Sequence, residues 1–190
     1  MSQYSKYILY IIFTLLFFSC KNTPESSKNQ PSNKPKSQTI SKLETYSNGK
    51  ITVSSYNFDN LEKLISLQND TTYVVNFWAT WCAPCVEELP YFEQANKQYK
   101  NQKVKFLLVN LDFPKMIESR LLPFMEEHNI QSEVLILNDP DANSWIDKID
   151  PNWEGNIPIT IIHNKKKRAF YDHTFTKESL ITEIEKFVTH

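Results

Sequence analysis

Two cysteines, Cys82 and Cys85, stand where an apolar run ends and a helical pattern begins, with only Ala83 and Pro84 between them. The run before them, residues 73–78, reads Tyr-Val-Val-Asn-Phe-Trp, the pattern of a buried strand. In that strand-to-helix setting a C-x-x-C pair is a redox motif. A cysteine at a helix start meets unpaired backbone N–H groups and the positive end of the helix dipole, and both favour thiolate over thiol. Cys82 is therefore the expected nucleophile. Cys85 falls one turn on along the same face, within reach of a small disulfide and deeper in the fold, which makes it the expected resolving partner.

The same spacing also occurs as half of a structural zinc site, which needs two further ligands. Here the one other cysteine, Cys20, lies in a different kind of segment, and His128, His163, His173 and His190 have no ligand-type spacing. No metal is expected, and no cofactor beyond the Cys82–Cys85 couple itself. Lys and Arg number 21 against 22 Asp and Glu, so no basic excess points to nucleic acid. The run Lys165-Lys166-Lys167-Arg168 reads as a solvated hairpin turn. With Gly49 and Gly155 as the only glycines, a phosphate-cradling glycine loop is excluded and turns must rely on Asn, Asp and Pro.

The N-terminus has the three parts of an export signal: Lys6 as its charge, an apolar stretch over residues 7–18, and Ser19-Cys20 at its end. Twelve apolar-dominated residues fall short of a bilayer span. Cys20 resembles the lipidated first residue of a bacterial lipoprotein, and three cysteines then divide into one acylated residue and one redox pair. An uncleaved anchor, or a plain secretory peptide with a free Cys20, is the alternative. The Lys, Asn, Ser, Pro and Gln that follow bury too little apolar surface to offset ordering entropy. We therefore divide the chain into a signal peptide at 1–19, a flexible tether at 20–48 with a reach of roughly 25–30 Å, and one folded domain at 49–190.

Beyond the tether, strand and helix signals alternate, the pattern of an α/β fold. Ile51 and Val53 suggest a short opening strand, and Leu61, Leu64, Ile65 and Leu67 a helix capped by Asn57 or Asp59. A central strand at 74–78 leads into a helix at 83–99, with Pro90 expected to kink it. Next come a strand at 104–109, one helix over 115–128, a strand at 134–137 and one short helix over 142–149. A hairpin with strands 159–163 and 169–172 precedes a last helix at 177–188.

The segment Phe-Trp-Ala-Thr-Trp-Cys-Ala-Pro-Cys-Val-Glu-Glu-Leu-Pro, with this order of elements, resembles the thioredoxin superfamily and especially its extracytoplasmic TlpA/ResA-like thiol-disulfide oxidoreductases. The resemblance spans about residues 50–188. It implies a thioredoxin fold, with a central mixed sheet flanked by helices and a helix-strand insertion after the second βα element. It implies that Pro158, opening the strand Ile-Thr-Ile, follows a cis peptide bond and faces the cysteines, leaving the backbone of Ile157 free to pair with an extended client segment. Trp81 would join that client-facing surface. Where thioredoxins carry a titrating Asp, this chain has Asn76, and Glu88, three residues after the second cysteine, takes the acid-base place found in the TlpA/ResA-like branch. By helical register Glu88 lies on the face of Cys85, whereas Glu87 is rotated about 100° away.

The expected activity is reduction of client disulfides by a monomer tethered on the extracytoplasmic side of a bacterial membrane. Its expected partners are exported proteins with disulfides and a membrane-embedded thiol donor. Ala83-Pro84 resembles the spacer of reducing relatives. A disulfide oxidase or isomerase is the runner-up. A module delivering copper or another metal through the two cysteines is the alternative from another class.

Overall fold

Every residue from Thr72 to Trp78 is buried, which a strand achieves only near the centre of a sheet covered on both faces. The computed structural model describes residues 39–188. In it the strands are β1 (Glu44–Ser47), β2 (Thr52–Tyr56), β3 (Thr72–Trp78), β4 (Val104–Asn110), β5 (Glu133–Leu137), β6 (Ile159–His163) and β7 (Arg168–Tyr171). The helices are α1 (Phe58–Ile65), α2 (Ala83–Gln98), α3 (Leu122–Glu127), α4 (Ile146–Ile149) and α5 (Lys177–Glu185). One mixed sheet runs in the order β1-β2-β5-β4-β3-β6-β7. Its inner members β2, β5, β4 and β3 are parallel, and β1, β6 and β7 each pair antiparallel to their neighbour.

Alternation along β3 sorts the interior into two cores. Val74 and Trp78 face a cluster with Leu89 and Phe92 of α2, Leu122 and Met125 of α3, and Leu180 and Ile184 of α5. Tyr73, Val75 and Phe77 face the opposite cluster with Phe58, Leu61 and Ile65 of α1, and with Trp145, Ile149 and Trp153. By the same alternation Asn76 is directed to the α2 side. This is a thioredoxin fold, and α3-β5 is the inserted unit: β5 lies between β2 and β4 and so widens the sheet.

Several boundaries differ from the sequence reading. The signal peptide and most of the 20–48 tether lie outside the described residues, as does Cys20. The tether's last part belongs to the fold, because Glu44–Ser47 is β1, in register with Thr52–Ser55 of β2. Its alternating Glu-Thr-Tyr-Ser buries only Tyr46, a pattern too sparse to read as a strand without its partner. The α1 helix stops at Ile65 and leaves Leu67 exposed. Its N-cap is Asn57, whose side chain accepts from the Asn60 N–H. Helix α2 runs on through Pro90.

The single helix expected over 115–128 is instead a 3₁₀ turn at Pro114–Met116, a π turn at Ile117–Leu121 and then α3. Pro123 at the start of α3 has no N–H to offer the preceding turn and its ring crowds the carbonyl four residues back, so the turn widens and Leu122 N–H reaches the Ile117 carbonyl. Likewise 142–149 divides into a 3₁₀ turn, Ala142–Ser144, and α4. The hairpin turn is closed by Asn164, whose Oδ1 accepts from the Lys166 and Lys167 N–H groups. Arg168 begins β7 and pairs with Asp150 at 3.1 Å. Helix α5 starts at a Thr176–Ser179 capping box and ends at Glu185, three residues short of the expected limit.

Candidate active site

At the end of β3 the chain turns through Ala79, Thr80 and Trp81 before α2 starts. The Cys82 N–H donates to the Ala79 carbonyl at 3.1 Å, closing that turn. Cys82 is the N-cap of α2, and the Cys85 N–H donates to its Sγ at 3.3 Å. The sulfur thus takes the place of a capping oxygen and faces one of the helix's orphan donors. Cys82 and Cys85 form a disulfide with Cα atoms 5.3 Å apart. Cys82 keeps 6% exposure and Cys85 none, so Cys82 is the sulfur that an incoming thiol can meet.

Across from the pair, the Ile157–Pro158 peptide bond is cis, as the resemblance implies. The Ile157 carbonyl oxygen lies 3.7 Å from Cys82 Sγ. With the disulfide formed that sulfur has no hydrogen, so this is a contact; in the dithiol the carbonyl could accept a weak bond from the Cys82 thiol. Trp81 is 48% exposed beside the disulfide. The structure therefore brings Trp81, Cys82, Cys85 and Ile157 together at one end of the sheet, with Pro158 buried behind them.

Glu88 is 1% exposed. Its two carboxylate oxygens are each held by a separate donor: Asn76 Nδ2 to Oε1 at 2.9 Å and the Phe175 N–H to Oε2 at 2.8 Å. Asn76 is fixed in turn by Thr160 Oγ1 at 3.2 Å and the Ile159 carbonyl at 3.4 Å, while its own Oδ1 is buried without a partner. Burial pushes the Glu88 carboxyl up to about 7, and the Phe175 and Asn76 donors and the nearby His173 offset only part of that rise. A carboxyl titrating near neutrality, one helical turn from Cys85, can hold or release a proton where a thiol must do the opposite. Glu87, its neighbour in sequence, is exposed.

A second network, absent from the sequence reading, holds the turn before Cys82. Asp112, buried just past β4, accepts from both the Thr80 N–H and the Thr80 hydroxyl at 3.0 Å through Oδ1. Asn110 Nδ2 donates to its Oδ2 at 3.3 Å, and Arg120 donates to the Thr80 carbonyl at 3.0 Å. Phe113, next to Asp112, is 60% exposed on the same end of the sheet as Trp81. An Asp two residues past a largely apolar strand was the available signal for this network. The Phe175 contact had none, because a backbone N–H leaves no mark in side-chain pattern.

Comparisons with known proteins give the family and the fold. A family profile described as AhpC/TSA family matches residues 50–171. The chain is 30% identical over 113 residues to the thiol-disulfide oxidoreductase ResA of Geobacillus thermodenitrificans, covering 58% of this chain and 60% of that one. It is 34% identical over 95 residues to ResA of Bacillus subtilis, covering 50% and 48%. The chain thus spans about half to three-fifths of the length of these relatives. Among solved structures, a DsbF homologue from Corynebacterium diphtheriae superposes with a TM-score of 0.53 at 21% identity, over 71% of this chain and 77% of that one.

Proposed function

We propose that this chain, which belongs to the AhpC/TSA family, is a protein thiol-disulfide oxidoreductase that reduces disulfides of client proteins. The observation that carries the reading is the Cys82–Cys85 disulfide at the start of α2, with Cys82 the accessible sulfur and Cys85 buried. In the reduced enzyme the Cys82 thiolate attacks a client disulfide. One client sulfur leaves as a thiolate and takes a proton, and the other remains bound to Cys82 as a mixed disulfide. Cys85 then loses its proton to Glu88 and attacks Cys82 Sγ. That step breaks the mixed disulfide and releases the second client thiolate, which is protonated as it leaves. Two electrons have passed to the client, and the enzyme carries the disulfide seen here. A membrane-embedded dithiol donor returns it to the reduced form.

An extended client segment meets Trp81 on one side and the free backbone of Ile157 on the other, so a client is recognised by strand-like pairing rather than by a shaped pocket. The relatives named thiol-disulfide oxidoreductases support this activity. The signal-like N-terminus and Cys20 support a lipid-anchored, extracytoplasmic location. Among the described residues no helix is long and apolar enough to cross a membrane.

The test is trapping. Cys85→Ala should accumulate mixed disulfides with exported proteins through Cys82, visible on nonreducing gels and lost with reductant, and Cys82→Ala should accumulate none. A Cys85→Ala protein that forms no adducts would overturn the assignment of nucleophile and resolver.

A further inference from the structure

Exchange at Cys82 leaves the client covalently attached to its Sγ, so part of the client chain must lie across the neighbouring ends of β4, β3 and β6. The two sides of that strip differ in chemistry. On the β6 side the chain entering the strand presents exposed Glu154 and Asn156 and the half-buried Ile157. On the β4 side stand Phe113 and Pro114, both exposed. Between them runs an uncharged stretch, residues 79–86, whose exposed members are Trp81, Ala83 and Pro84. Single apolar residues on a surface need no explanation, but these continue from the disulfide in one direction only.

Phe113 is the most exposed large apolar side chain among the described residues, yet its backbone is held on both sides. Before it, the Leu111 N–H donates to the Trp78 carbonyl at 2.8 Å, carrying the β3–β4 ladder one residue past Asn110. After it, Pro114 restricts the backbone and the Met116 N–H donates to the Phe113 carbonyl at 2.8 Å, opening the 3₁₀ turn. The tie to the active site is direct: Asp112 accepts twice from Thr80 at 3.0 Å, and these two residues are the chain neighbours of Phe113 and Trp81. Covalent geometry then keeps the Phe113 and Trp81 backbones within about 15 Å of each other. An aromatic fixed before its partner arrives gives up little entropy on contact.

We propose that Phe113 is a specificity residue for clients, receiving an apolar side chain that lies about three residues from the client cysteine bonded to Cys82. The inference deepens the function proposed above and rests on it. Neighbouring strands lie about 4.8 Å apart, so the ends of β4 and β6, on either side of β3, are about 10 Å apart, a distance that an extended chain covers in about three residues. A client whose backbone pairs with Ile157 on the β6 side therefore carries one flank of its cysteine over Trp81 to Phe113. Its other flank runs out past Glu154 and Asn156, where an apolar side chain finds no apolar partner. The site thus reads one flank of the client cysteine for an apolar residue and leaves the other unread.

The test uses the full chain, reduced beforehand with dithiothreitol and freed of it, acting on synthetic peptides that each hold one cysteine and are joined as disulfide dimers, so that either sulfur carries the same sequence. Leu or Ser is placed three residues before or three residues after the cysteine, and kcat/KM is measured for each dimer. Leu on one flank should raise kcat/KM about fivefold over Ser, the scale of one aromatic contact at a surface, and Leu on the other flank should not. Phe113→Ser should bring that Leu-to-Ser ratio close to one, and Phe113→Leu should retain most of it. A Phe113→Ser protein that slows the Leu and Ser dimers alike keeps the ratio, which would make Phe113 a support for the turn and overturn the proposal. A wild type that reduces all dimers without preference also overturns it, while leaving the exchange activity standing. A wild type that reduces none of them overturns the activity itself, and the proposal with it.

Discussion

Replacing Glu88 with Gln should abolish a specific slope in the dependence of stability on pH. In the folded protein the Glu88 carboxyl is raised to about 7 by burial, against an ordinary value of 4.5. Between those values the folded state keeps a proton that the unfolded chain has released, so stability falls as pH rises through that window. Below it both states are protonated, and above it both are ionised. At 1.36 kcal/mol per pH unit the stabilisation lost across the window is about 3 kcal/mol. For a domain of this size that corresponds to roughly 6–12 °C in Tm.

Other groups contribute slopes of their own. Burial lowers the His163 imidazole below its ordinary value, which makes stability rise with pH up to about 6.5. The informative quantity is therefore the difference between wild type and Glu88→Gln, measured by urea unfolding of the oxidised proteins at several values from pH 4.5 to 8. That difference should shift by about 3 kcal/mol in favour of the variant on going to the alkaline end. Gln can be accommodated: its amide nitrogen needs an acceptor where Glu88 had a donor, and the unpartnered Oδ1 of Asn76 becomes one if that side chain turns over. Glu87→Gln, on the exposed face, is the control and should leave the slope unchanged. Parallel curves for wild type and Glu88→Gln would refute the claim that burial outweighs the Asn76 and Phe175 donors.

Two further outcomes follow. Asp112→Ala should cost about 3 kcal/mol in denaturant unfolding, because it strands the two Thr80 donors and Asn110 in a buried place; disulfide exchange should slow as the turn before Cys82 loosens, and a fully stable variant would show that Arg120 alone holds it. Cys20→Ser should move the full chain from the membrane fraction to the soluble fraction, with mass spectrometry of the wild-type N-terminus reporting acyl chains on Cys20; an unmodified Cys20 would refute lipidation.

What could be read in advance followed from local rules. The strand-to-helix setting of Cys82 and Cys85 is a contiguous pattern, so their relative exposure and the helix start between them could be read directly. Glu88 was legible by the same logic, since helical register alone puts it below Cys85. The sheet's core strands announced themselves through apolar-dominated runs such as residues 104–109. Segments whose shape is set by a partner were not legible. The β1 strand buries one residue in four and exists because β2 offers it a ladder. The helix expected over 115–128 failed at Pro123, a residue visible in the sequence whose effect depends on which turn it enters.

Much of what holds the site comes from segments distant in sequence, of which Ile157 was reached only through the family resemblance. A single catalytic pair at a helix start needs its turn held, its carboxyl buried and its client-facing backbone kept free, and each task falls to a segment distant in sequence. Asp112 holds Thr80 from 32 residues away, Phe175 clamps Glu88 from 87 residues away, and Ile157 meets Cys82 from 75 residues away. Two of the three act through backbone atoms, which every residue type possesses, so side-chain chemistry carries no trace of them. The order β4-β3-β6 accounts for Asp112 and Ile157, because it places the end of β4 and the start of β6 on either side of the end of β3, while Phe175 arrives from the loop after β7. The redox chemistry is therefore written locally, in the four residues from Cys82 to Cys85, while the support of its turn, its carboxyl and its client-facing backbone comes from segments that strand order brings in.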